Sequence, residues 1–181
     1  MEHDNLFRFL SLCFTYPNDD RFQALADTLS LLATDLEIEQ SCADTDTPLS
    51  IEDMQAEYVR LFINGPGGVA APPYASVYIN HTGLLRQQGF DEALAMYRRA
   101  GLEPDSSDDL PDHIRYELAF IALLLERGDH DRAEEFIDRH LGRWFPRFAN
   151  RLLSAEPHPF YHTLGQATDL CLKQTLKEVF A

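Results

Sequence analysis

Apolar residues recur at helical spacing along almost the whole chain, and no stretch holds the period-two alternation of a half-buried strand. The pattern predicts an all-α single domain over residues 1–181, a bundle of about eight helices with no significant sheet. The first two helices fall at about 3–15 and 19–34, the second carrying Phe22, Leu25, Ala26, Leu29 and Leu32 on one face. Ser50-Ile51-Glu52-Asp53 has the capping pattern that opens a third helix with Met54, Tyr58, Leu61 and Phe62 on one stripe. A fourth, about 87–100, uses Phe90, Leu94 and Tyr97 and ends at Gly101. Pro111 suits the first turn of a fifth, 111–127, whose Ile114, Leu118, Ile121, Ala122 and Leu125 mark it as the central core helix. Gly142 separates a sixth helix at 130–141 from a seventh at 143–154, and the last runs over about 159–179. Three segments break the pattern: a mobile acidic linker near 35–49, a Pro/Gly-rich loop near 64–75, and the acidic run Glu103-Pro104-Asp105-Ser106-Ser107-Asp108-Asp109.

Composition narrows the function. The 181 residues are 45% hydrophobic and 25% charged, an ordinary globular balance, with a formal charge of −15. Such a surface repels phosphate backbones and anionic headgroups, which excludes nucleic acid as a partner and favours basic ones. Cys13, Cys42 and Cys171 stand far apart without a C-x-x-C, so neither a zinc finger nor a disulfide scaffold is expected. Glu2 and Asp4 precede the first apolar run and Arg8 interrupts it, unlike a secretory signal, and no window has the apolar length of a membrane span. The expected location is the cytoplasm, with no stable membrane insertion.

Catalytic chemistry is hard to find. Gly65-Pro66-Gly67-Gly68 lacks the Lys-[ST] pair of a phosphate loop, and no nucleophile elbow or H-E-x-x-H occurs. His158 and His162 are four apart, but Pro159 puts His158 at a helix start and no third ligand is nearby; capping is the commoner use. No cofactor, metal site or catalytic residue is expected. Two constellations stand out. One is Glu57-Tyr58-Val59-Arg60-Leu61-Phe62 leading into a rigid Pro-rich segment that presents Tyr74 and Tyr78, which suits either peptide recognition or plain core packing. The other is Asp108-Asp109-Leu110-Pro111-Asp112-His113, an acidic helix start that dipole capping alone would also explain.

Together these residues resemble the TorD/DmsD family of redox-enzyme maturation chaperones, related to the NarJ group. The resemblance rests on Tyr58-Val59-Arg60-Leu61-Phe62, Gly65-Pro66, Pro72-Pro73-Tyr74-Ala75-Ser76-Val77-Tyr78 and Pro111-Asp112-His113, with His158-Pro159-Phe160-Tyr161 near the end. It implies a non-enzymatic cytoplasmic chaperone that binds the twin-arginine signal peptide of an apo-molybdoenzyme and holds it for molybdopterin insertion. The implied peptide contacts are Tyr58, Leu61, Phe62, Pro66, Tyr74, Ser76, Tyr78, Asp112 and His113, and the acids expected to meet the basic pair are Asp108, Asp109 and Asp112. Monomer and domain-swapped dimer both fit. Two other readings stand beside it: a small nucleotide-binding hydrolase, and an adaptor subunit of a mature redox complex.

Overall fold

Ser50 does what its position predicts. Its Oγ accepts from Asp53 N at 3.1 Å and donates to Asp53 Oδ2 at 2.8 Å, closing the first turn of its helix. A computed structural model of the chain describes residues 2–38, 50–80, 83–104 and 109–178. The helices are α1 (His3–Cys13), α2 (Asp19–Asp35), α3 (Ile51–Tyr58), α4 (Ala75–Ile79), α5 (Gln88–Arg99), α6 (Ile114–Glu126), α7 (His130–Phe136), α8 (Gly142–Ser154) and α9 (Pro159–Glu178). The fold is all-α: among the described residues there is no strand, only a single antiparallel bridge between Tyr74 and His113. No described helix is long and apolar enough to cross a membrane. Residues 39–49 of the expected linker and Asp105–Asp108 of the acidic run lie outside the described residues.

Two helix boundaries differ from the sequence reading. Gly142 does not end a helix, because α7 passes through a π-turn, Ile137–Leu141, straight into α8. At that junction a Cβ on residue 142 would sit 2.8 Å from the Ile137 carbonyl oxygen, so the glycine permits the tight approach rather than a stop. Pro111 is not in a first turn either: α6 begins at Ile114, and His113 is its cap, with Nδ1 accepting from Arg115 N at 3.1 Å. A second π-turn, Val59–Ile63, extends α3 and turns both Leu61 and Phe62 inward.

The core is largely aromatic, with Phe7, Phe14, Phe136, Trp144, Phe145, Phe148 and Tyr161 fully buried. α1 lies along α6, α8 packs on α9, and the short α4 is held between α5 and α8. Gly89 makes the last packing possible. Its missing Cβ would fall 2.6 Å from both the Ala75 carbonyl carbon and the Ser76 nitrogen.

Charge also enters this interior. Glu117 of α6 is fully buried; His140 Nε2 donates to its Oε1 at 2.8 Å and Trp144 Nε1 to its Oε2 at 3.0 Å. On the outer side, Glu92 lies 3.6 Å from His140 Nδ1 and accepts from Arg143 at 2.9 Å. Tyr78 stacks on Trp144, 5.7 Å between ring centroids at 17°.

Two predictions follow from this packing. Gly89→Ala pushes a methyl group into the α4 backbone and is expected to cost about 1–3 kcal/mol, lowering Tm by roughly 2–4 °C per kcal/mol. Burial alone pushes the His140 pKa down, but Glu117 and Glu92 outweigh it and hold it above 6.5, while Asp112 and Tyr97 also face Glu117. The imidazole therefore keeps a proton that the unfolded chain releases. Its stabilisation is complete below pH 6.5 and lost as pH rises through the raised value. Urea titrations at successive pH values should show stability falling on that side, and Glu117→Gln should flatten the fall.

Candidate functional site

Pro72 and Pro73 hold the backbone extended, and Tyr74 follows at φ −128°, ψ 131°. That short extended piece pairs with 112–114: Ala75 N donates to Asp112 O at 3.0 Å and Ile114 N to Pro73 O at 2.9 Å. The Asp112 side chain completes the lock, its Oδ2 accepting from Ser76 N at 2.9 Å at the free start of α4. Asp112 is fully buried, and burial pushes its pKa up against the opposing hydrogen bonds from Ser76. It anchors two segments of chain and does not face solvent.

One layer further out, Tyr74 donates through its hydroxyl to Asp109 Oδ1 at 2.8 Å, and Leu110 N donates to the same oxygen at 2.8 Å. The Tyr74 ring meets His113 edge-on at 5.0 Å. Asp109 Oδ2 stands 3.7 Å from His113 Nε2. Because His113 Nδ1 caps α6 as an acceptor, the ring is neutral with its proton on Nε2. Burial pushes its pKa down, to about 4, against the pull of Asp109. Half-buried Tyr74 and Asp109 are the exposed edge of this junction.

The residues singled out in the sequence thus divide by depth. Tyr74, Ser76, Asp109, Asp112 and His113 meet at one junction. Tyr58 and Phe62 pack on one another at 5.0 Å in the core, 7% and 4% exposed, with Leu61 sealed beside them. Tyr78, 7% exposed, lies against Trp144. The expectation that these rings line an open groove is corrected by their burial: the packing of α3, α8 and α9 covers them. Pro66 is exposed, in a turn whose far limb is tied to α8 by Arg151 bonding Ala70 O and Val69 O. Asp108 lies outside the described residues. Glu57 and Arg60 also turn out to be structural, paired at 2.7 Å, with Glu57 accepting from His158 N at 2.8 Å. His158 caps α9, its Nδ1 accepting from Phe160 N at 3.2 Å.

Two depressions flank the junction, and Arg115 belongs to the lining of both. The first, about 380 Å³, is walled by Leu102, Pro104, Pro111, Tyr116, Ala119 and Leu123, with Glu103 at its edge. Tyr116, Ala119 and Leu123, none of them fully buried, form a second apolar stripe on α6 besides the one that faces the core, with Phe120 beside them packed inward on Tyr97 and Phe136. That spacing is visible in the sequence, and a helix apolar on two faces signals a surface that something else covers.

Comparison with known proteins gives a consistent family. Residues 18–150 match the family described as nitrate reductase delta subunit. The Tat proofreading chaperone DmsD of Salmonella typhi is 34% identical over 129 residues, covering 69% of this chain and 61% of that protein. A chaperone protein TorD of Shewanella loihica is 30% identical over 139 residues, covering 74% and 65% respectively. The selenate reductase assembly chaperone protein of Thauera selenatis is 32% identical over 120 residues, covering 59% and 61%. The matched region thus spans less than two thirds of each of these relatives. A crystal structure provisionally described as a redox enzyme maturation protein from Archaeoglobus fulgidus superposes with a TM-score of 0.62 at 25% identity, covering 98% of this chain and 95% of its own.

His113 makes the junction acid-sensitive. With its folded pKa near 4 and its ordinary value at 6.5, the unfolded chain takes up a proton that the folded one refuses. The contribution is intact above pH 6.5 and is lost as pH falls from there through about 4. His113→Asn keeps a capping oxygen and removes the titration, so its stability should fall less steeply on the acid side than that of the natural chain.

Proposed function

Because the chain belongs to the nitrate reductase delta subunit family, with TorD and DmsD chaperones among its relatives, we propose that it is a chaperone for the precursor of a molybdenum-containing redox enzyme. It binds the precursor's twin-arginine signal peptide in the cytoplasm and holds the enzyme while molybdopterin is inserted. It carries out no chemistry of its own on that precursor.

The observation that carries this reading is the first depression. A signal peptide of this type has a basic pair followed by an apolar stretch. Its receptor needs an apolar surface with a carboxylate at hand, and here Leu102, Pro104, Tyr116, Ala119 and Leu123 line the depression together with Glu103. Exposed ion pairs are worth little, so apolar contact supplies most of the affinity while the acids set register and association rate. In this reading the buried Asp112, Ser76, His113, Tyr58, Phe62 and Tyr78 act indirectly, by fixing the wall on which Tyr74 and Asp109 stand.

Calorimetry with synthetic twin-arginine signal peptides tests the reading directly. Ala119 is exposed in the depression, so Ala119→Gln fills it without touching the core and should weaken binding about tenfold with Tm unchanged. Glu103→Gln should instead slow association and reduce its salt dependence. Failure of every candidate signal peptide to bind at low salt would overturn the proposal, and undiminished binding by Ala119→Gln would overturn the assigned groove.

A further inference from the structure

The 17 residues from Arg139 to Ala155 hold four arginines and no acid, in a chain whose formal charge is −15. The arginines, Arg139, Arg143, Arg147 and Arg151, fall at every fourth position. They therefore follow one face of the helix that runs from the π-turn through α8. All four are exposed, while Trp144, Phe145, Phe148 and Leu152 on the inward face are fully buried. At the usual rise of a helix the row is about 18 Å long.

Much of the row is held in place. Arg151 donates to Ala70 O and Val69 O, neutral acceptors that fix a guanidinium without cancelling its charge. Arg147 donates to Tyr78 O at 2.9 Å. Arg143 pairs with Glu92 at 2.9 Å, and that carboxylate also lies 3.6 Å from His140 Nδ1. The Arg139 side chain makes no hydrogen bond or ion pair among the described residues. It shares a depression of about 230 Å³ with Arg143, Glu92 and Glu135 over Ala95 and Met96, and Glu135 is engaged by Arg99 at 3.3 Å. Thus both acids beside the row are already taken up by cations, and neither of its end residues is in an ion pair among the described residues.

We propose that this row is a docking surface for an acidic segment of a partner protein, whose carboxylates seat on Arg139 and Arg151 at the ends and beside Arg143 between them. A guanidinium fork takes a carboxylate by both oxygens. Carboxylates four apart on a helix, or two apart on an extended chain, stand about 6–7 Å from one another, which matches the step of the row. The chain's own charge selects against broader anions. A membrane or a duplex presents phosphates to the whole acidic body, whereas a peptide segment meets only the row, and charges more than about 8–10 Å away are screened at 0.1–0.15 M salt. No residue of the row lines either depression described above, so this surface is separate from the one assigned to the signal peptide, whose basic pair it repels.

The test is an amide NMR titration of the full chain with end-capped hexaglutamate, and with hexaglutamine as its uncharged counterpart, at about 0.1 M salt. Hexaglutamate should shift the resonances of residues 139–154 and bind about tenfold or more tightly than hexaglutamine. Arg139→Gln should weaken it about threefold with Tm unchanged, because that side chain holds nothing else in place. Adding Arg151→Gln should bring the loss to about tenfold. Arg8→Gln with Arg21→Gln makes the same change of charge on α1 and α2 and should leave the affinity as it was. The proposal is overturned by no binding at millimolar hexaglutamate, by equal binding of hexaglutamine, by shifts confined to other elements, or by equal losses in the two double variants. Sedimentation with phosphatidylglycerol vesicles at the same salt, abolished by Arg139→Gln, would overturn it in favour of a membrane surface.

Discussion

A carboxylate sealed inside an aromatic core is the most demanding group in this chain, and the arrangement of four elements answers it. Stranding such a charge by removing its partner costs on the order of 3–5 kcal/mol. Glu117 avoids this because α7 continues through a π-turn into α8, which brings His140 and Trp144 to the same side as its two oxygens. An ordinary break at Gly142 would set those two residues on separate helices. The π-turn, the glycine that permits it and the buried pair are therefore one feature, and Trp144 passes the constraint on to Tyr78 and α4 through their stack.

From α4 the constraint reaches the surface. Asp112 binds the start of α4, Gly89 lets α5 close over the same backbone, and Pro73 and Ile114 tie the two segments together. A segment so fixed holds Tyr74 and Asp109 in place, and a preformed surface of this kind limits the ordering cost of binding. This explains why the residues that carry the family resemblance are mostly inward-facing. They define the junction, while the first depression beside it is lined by Tyr116, Ala119, Leu123 and Leu102, which carry no part of that pattern, and by Pro111, which does.

The longer helices were legible in the sequence because each buries a regular stripe, and the Ser50 cap and the Gly101 stop are local chemistry, whereas the five-residue α4 is too short to show a period. Gly142 and Pro111 misled because their meaning depends on what lies opposite: a carbonyl 2.8 Å away in one case, the Tyr74 to His113 bridge in the other. That Tyr74, Ser76, Asp109, Asp112 and His113 belong together was legible in the sequence, but their depth was not. Tyr58, Phe62 and Tyr78 look the same in sequence whether they line a groove or a core, and only the coverage by α8 and α9 decides between them. Asp112 reads as one acid among several near a helix start, and its burial follows from the Pro72-Pro73 segment far away in the chain.

Charge is distributed in a way that net composition conceals. Glu103 is in the lining of the apolar depression on α6, whereas Arg21 and Arg115 are in the lining of the depression at the start of α2. Arg115 belongs to both and is held over Tyr116 between them. A carboxylate at the edge of an apolar surface, such as Glu103 here, favours the approach of cationic over anionic groups at that edge. Electrostatics of this sort adds little affinity at an exposed surface and acts mainly on register and association rate, while apolar contact supplies the area.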